Sequence, residues 1–154
     1  MDNEIFRQTY SEINERLCPF EKGILTNNCA CSRARRFCIA EREGVHCTSD
    51  AAQARCVEFL KQLRANARFA LKTTVARSAL PHAKAMRVQV GGLRGLHQVV
   101  WPDAEPPQRV ADIDGLVEAA VNRFGGLAAL PYQLMLKQIA AYRGRRPFRE
   151  RRTK

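Results

Sequence analysis

The chain has 154 residues, 45% of them hydrophobic, and a formal net charge of +11. That is enough apolar material for one real core, so cross-links are not needed for folding. No apolar run approaches the roughly 20 residues of a spanning helix, and the opening MDNEIFRQTY lacks the basic and apolar regions of a secretory signal. The expected compartment is therefore the cytoplasm, where thiols stay reduced.

In chain order, residues 3–17 predict an amphipathic helix. Phe6, Tyr10, Ile13 and Leu17 share a face, Asp2 or Asn3 can cap it, and Pro19 stops it. Residues 21–31, EKGILTNNCAC, predict a loop. Residues 32–43, SRARRFCIAERE, predict a second helix from Ser32 to the stop at Gly44. A third helix is expected over 50–72, capped by Ser49 or Asp50, with Cys56, Leu60, Leu63, Ala67, Ala70 and Leu71 inward. Residues 73–92 read as helix or short strand, bracketed by Pro81 and a turn at Gly91-Gly92.

A short helix over about 93–100 and a proline-rich loop over 101–108 follow. Residues 109–124 carry the clearest helical period, through Val110, Ile113, Val117, Ala120, Val121 and Phe124, and Gly125-Gly126 closes it. Pro131 opens a last helix with Leu134, Met135, Ile139 and Tyr142 inward. The fold class expected is mainly α: a single-domain bundle of about six helices over residues 1–142, with a cysteine-rich metal-binding N-terminal part. Residues 143–154, RGRRPFRERRTK, carry a net charge of +6 and are expected to form a flexible basic tail. Such a tail attracts polyanions, so an acidic protein partner is expected, with nucleic acid as the alternative.

All six cysteines fall between residues 18 and 56, at spacing C-x10-C-x-C-x6-C-x8-C-x8-C. In a reducing compartment that density points to metal or redox chemistry rather than disulfides. An iron–sulfur cluster needs about four thiolates converging on one point. Cys18 ends the first expected helix, Cys31 and Cys47 precede the next two, and Cys56 lies on an apolar helix face. These four are the expected ligands, with Cys29 in reserve because residues two apart in extended chain point the same way. Helix starts would also favour thiolates at Cys31 and Cys47. Arg33, Arg35, Arg36, Arg42 and Arg55 are placed to offset the negative charge of a cluster, expected as 4Fe-4S.

Zinc is the alternative, with four cysteines or with three and His46, although the usual C-x2-C knuckle is missing. It would suit a zinc-stabilised regulatory or nucleic-acid-binding module. Thiol redox without metal ranks last for want of C-x-x-C. A third reading is a helical interaction protein whose cysteines are only packing. Cys38, between Phe37 and Ile39, reads as core filler in any of them.

No catalytic pair is legible, so no independent catalytic activity is expected. Asp112 and Asp114 read as acidic residues at a helix start, favourable to the dipole. His82 and His97 read as ordinary surface or core-edge histidines. Gly91-Gly92-Leu93-Arg94-Gly95 reads as a closely packed turn rather than a phosphate cradle.

Overall fold

The computed structural model describes residues 16–68 and 82–142. The elements are α1 (Glu21–Leu25), β1 (Ala34–Ile39), β2 (Arg42–Cys47) and α2 (Asp50–Ala67). Then come α3 (His82–Met86, a π-turn at Arg87–Gly91, then Gly92–Val100), α4 (Ile113–Phe124), a 3-10 turn (Leu127–Ala129) and α5 (Tyr132–Ala141). The fold is mainly α, as expected, but it is not a six-helix bundle: a two-stranded antiparallel sheet stands beside the helices. Residues 3–15 of the helix expected over 3–17, residues 69–72 of the third, the stretch to Pro81 and the basic tail 143–154 lie outside the described residues; Arg16 and Leu17 are not helical, and Leu17 bridges His46.

The largest correction falls on residues 32–43. They form no helix: Ala34–Ile39 pairs with Arg42–Cys47 in a hairpin turned at Ala40-Glu41. Ala40 takes φ 55°, a left-handed conformation costing an alanine about 1 kcal/mol. Distant partners outweigh that cost. Cys18 N–H donates to Val45 O at 3.1 Å and Cys47 N–H to Arg16 O at 2.7 Å. Val45 N–H donates to Glu21 Oε1 at 2.8 Å. The second strand is therefore satisfied on both edges, which a helix here could not achieve.

α2 begins where its cap requires. Ser49 is extended, and its hydroxyl accepts the Ala52 N–H at 3.2 Å. Its buried face runs Ala52, Cys56, Phe59, Leu60, Leu63 and Ala67, the spacing of one helical stripe. Phe59 meets Phe20 with ring centroids 6.3 Å apart, joining α2 to the chain around α1.

α3 is the central helix. Val88 to Leu93, Gly95 and Leu96 are all buried, so it is enclosed on nearly every side. Gly91 and Gly92 form no turn; they lie inside the helix, and the close packing expected of them is real. A Cβ on Gly91 would stand 2.7 Å from the Ile139 Cα, and one on Gly95 2.7 Å from the Met135 carbonyl oxygen. The missing side chains let α3 and α5 touch backbone to backbone. Arg87 then reaches over to the Ile139 and Ala140 carbonyls at 3.3 and 3.0 Å, satisfying the C-terminal end of α5.

Gly125, at φ 91°, ends α4 in the left-handed conformation, its N–H on the Val121 carbonyl at 2.8 Å. Pro131 precedes α5, where Met135 and Ile139 are buried as expected. Leu134 is not; it is exposed, and Tyr132 fills the inward place, with its hydroxyl on the Leu127 carbonyl at 2.8 Å. One hydrophobic cluster runs from Cys18 to Ile139, so the cysteine-rich part is continuous with the helical core. Among the described residues no helix is long and apolar enough to cross a membrane.

Candidate metal centre

Cys18, Cys31, Cys47 and Cys56 line one cavity, together with Phe20, Ala34, Ile113 and Asp114. Each thiol arrives on a different piece of chain. Cys18 sits just ahead of α1, fixed by its N–H on Val45 and by its carbonyl, which accepts from Glu21 N–H at 3.1 Å. Cys31 lies in the loop before β1. Cys47 ends β2 directly opposite Ala34, so the hairpin register puts both on the same wall. Cys56 lies two turns inside α2 on its buried face. The start of α4 closes the remaining side. Ala30 N–H donates to Val110 O and Ile113 N–H to Ala30 O, each at 2.9 Å, and Ser32 N–H to Asp112 Oδ1 at 2.9 Å. These bonds lock the Cys31 loop to the first turn of α4.

The sulfurs have polar company. Cys31 Sγ accepts the Arg33 N–H at 3.4 Å, and Cys47 donates its S–H to the Ser49 carbonyl at 3.3 Å. Burial pushes the thiols of Cys18 and Cys56 up to about 12, against the Phe20 N–H in the first case and the Arg55 charge in the second. Burial also raises Cys31, opposed by the N–H groups of Arg33 and Asp114. At Cys31 burial outweighs these N–H groups, and the helix expected to follow it is a strand instead. The N–H of Asp114, in the first turn of α4 far along the chain, acts on Cys31 instead. Without a metal, these three groups hold their protons at neutral pH. Ligation must displace those protons.

The other cysteines lie elsewhere. Cys29 is wholly buried and outside the cavity, its Sγ 2.7 Å from where a Cβ on Gly23 would stand. Its thiol is pushed up to about 12 by burial. Cys38 is exposed on β1 and is not core filler. The hairpin that replaced the expected helix turned it out to solvent. His46 alternates with Cys47 along β2 and therefore faces away from the cavity; its ring lies 5.9 Å from that of Phe37. That removes it as a fourth ligand beside three cysteines. Of the five arginines expected near a cluster, Arg33 and Arg55 pair with Asp114, which lines the cavity, but do not line it themselves. Arg36 is instead occupied with the Ile24 carbonyl at 2.9 Å and Glu43 at 3.9 Å.

Asp114 was legible in sequence only as an acidic residue in a helix start. It is 7% exposed, lines the cavity and is gripped by both arginines: Arg55 Nη2 at 2.7 Å and Arg33 Nε at 3.3 Å. Asp112 beside it is pulled up by burial but held below the ordinary carboxylate range by hydrogen bonds, that of the Ser32 N–H first.

The cavity holds about 10 Å³ of space for a water-sized centre, room for about one water. Among the described residues no group of three or more His, Cys, Asp or Glu side chains is close enough to hold a single metal ion. Four thiols thus share an apolar-walled cavity without closing on one point. Comparison with known proteins returns no match: no family model, curated protein or solved structure is similar to this chain.

Proposed function

We propose that this is a small iron–sulfur protein of the cytosol, acting in electron transfer, redox sensing or as an accessory subunit. Its cluster, of the 4Fe-4S type, is held by Cys18, Cys31, Cys47 and Cys56. The observation that carries the reading is the meeting of four thiols, from four separate pieces of chain, on one cavity. A zinc ion draws its sulfurs to about 2.3 Å from a common centre. A cluster spreads its thiolates over separate irons and tolerates a wider arrangement, which favours it over the zinc-stabilised module. The chain's own part is to hold the thiolates, donate backbone N–H groups to sulfur and keep water out with Phe20, Ala34 and Ile113. The cluster supplies one-electron chemistry, and no independent catalytic activity goes with it. The basic tail, residues 143–154, docks an acidic protein partner in this reading, with nucleic acid as the alternative.

A second reading has an observation of its own. The cavity is small, and protonated buried thiols serve as apolar packing, so the four cysteines would be wall and nothing more. Single Cys→Ser changes separate the two readings. After oxygen-free reconstitution with iron and sulfide, visible absorption is lost on changing any of the four and kept on changing Cys38. Equal absorption in all five variants would leave only the packing reading.

A further inference from the structure

We propose that the solvent face of α2 binds the phosphate backbone of a nucleic-acid duplex through Lys61, Arg64 and Arg68, independently of the cysteine cavity and of the basic tail. The charge of the chain is strongly segregated. From Phe59 to Pro102 there are eight Lys and Arg and no Asp or Glu, a net +8. The tail adds +6, and the rest of the chain sums to −3. Lys61, Arg64 and Arg68 open the acid-free stretch. They share one face of α2 at i, i+3 and i+7, and all three are exposed. Among the described residues the ion pairs fall on Arg16, Arg33, Arg36 and Arg55, and none includes these three. Glu58, one turn earlier, accepts a hydrogen bond from Gln62 Nε2 at 3.2 Å instead. Behind the stripe lies α3: a Cβ on Gly92 would stand 2.7 Å from Leu63 Cδ1. α3 brings Lys84, Arg87 and Arg94 and no carboxylate.

One cation in a last turn is what the helix dipole favours. Three unpaired cations at i, i+3 and i+7 repel one another, so the face is completed by an anion from outside the chain. The stripe runs about 10 Å along the axis. A duplex strand places a phosphate every ~3.4 Å, so about three fall within reach. A protein partner would want an apolar centre to the interface. The large apolar residue that α2 exposes, Val57, lies a turn before Lys61, at the edge of the stripe. Single strands are held by rings stacked on bases. The one ring on α2, Phe59, is wholly buried. What remains is contact to a duplex backbone, which carries no sequence preference.

The test is binding of the full chain to a short mixed-sequence DNA duplex, followed by fluorescence anisotropy across a salt series. Wild type is compared with Lys61→Gln/Arg64→Gln/Arg68→Gln and with Arg123→Gln, an exposed cation on α4. Glutamine forms helix about as well as lysine or arginine, and circular dichroism checks that α2 survives. The log-log salt slope is expected to flatten by about 0.9 for each stripe cation removed, with about tenfold or more lost affinity at low salt. A second, unrelated duplex gives the same values, and Arg123→Gln stays at wild type. Should the triple variant not fold, Arg68→Gln, just past the helix end, carries one third of the effect. An unchanged slope overturns the proposal and leaves any binding to the tail. An equal loss in Arg123→Gln overturns it in favour of net charge alone. Stripe-dependent binding that is tighter to polyglutamate or to anionic vesicles than to the duplex overturns the choice of nucleic acid.

Discussion

Raising the pH should weaken the metal-free protein, and metal should remove most of that weakness. Burial raises the thiols of Cys18, Cys29 and Cys56 from the ordinary 9.0 to about 12. An unfolded chain loses these protons near pH 9, whereas the folded chain keeps them. Between the two values the folded state binds more protons, so stability falls as pH rises. The contribution is fully present below pH 9 and is lost on the way to pH 12. Each tenfold difference in proton affinity between the two states is worth about 1.4 kcal/mol. Between pH 8 and 10 each thiol therefore costs about 1 kcal/mol, and the three together about 3–4 kcal/mol. With a urea dependence of about 1–3 kcal/mol per molar, the midpoint falls by more than about 1 M. The assay is urea unfolding of chelated protein across that range, repeated with the metal-loaded form. Ligated Cys18 and Cys56 are already thiolates, so the stability that they lose with rising pH in the metal-free protein is not lost in the metal-loaded form, where the unfolded chain binds the extra protons instead. A flat midpoint in the metal-free protein would refute the burial argument. Equal slopes in both forms would refute ligation by Cys18 and Cys56.

Cys29→Ser buries a hydroxyl where the structure is fully enclosed, so it should cost about 1–3 kcal/mol in chemical unfolding yet leave metal content unchanged. Cys38→Ser, at an exposed position near the end of β1, should leave both within error of wild type, about 0.5 kcal/mol for stability. Gly95→Ala drives a methyl into the Met135 backbone and should lower stability by about 1–3 kcal/mol, although alanine is the better helix former. A stabilised Gly95→Ala variant would mean that α3 and α5 are not in backbone contact.

Local chemistry was legible from single residues. Ser49 caps α2, Gly125 ends α4 in a left-handed turn, and Pro131 precedes α5, each for a reason confined to one turn of helix. The four cysteines chosen for lying at element ends or on an inward face do meet on one cavity. Cys47 reaches it on a strand, however, and the segment after Cys31 is a strand rather than the expected helix. What escaped the sequence depends on distant partners. Residues 34–47 become a hairpin because Arg16, Cys18 and Glu21 complete its bonding. Nothing local announces those bonds. Asp114 looks like a helix-start acid until Arg33 and Arg55, 81 and 59 residues away, close on it. Leu134 has the helical spacing of an inward residue, yet Tyr132 takes the inward place beside Leu127.

The most direct measurement is iron, zinc and acid-labile sulfide content of the full chain purified without oxygen. A 4Fe-4S centre on Cys18, Cys31, Cys47 and Cys56 predicts about four irons and about four sulfides per chain. One zinc with no sulfide, or no metal at all, would contradict it.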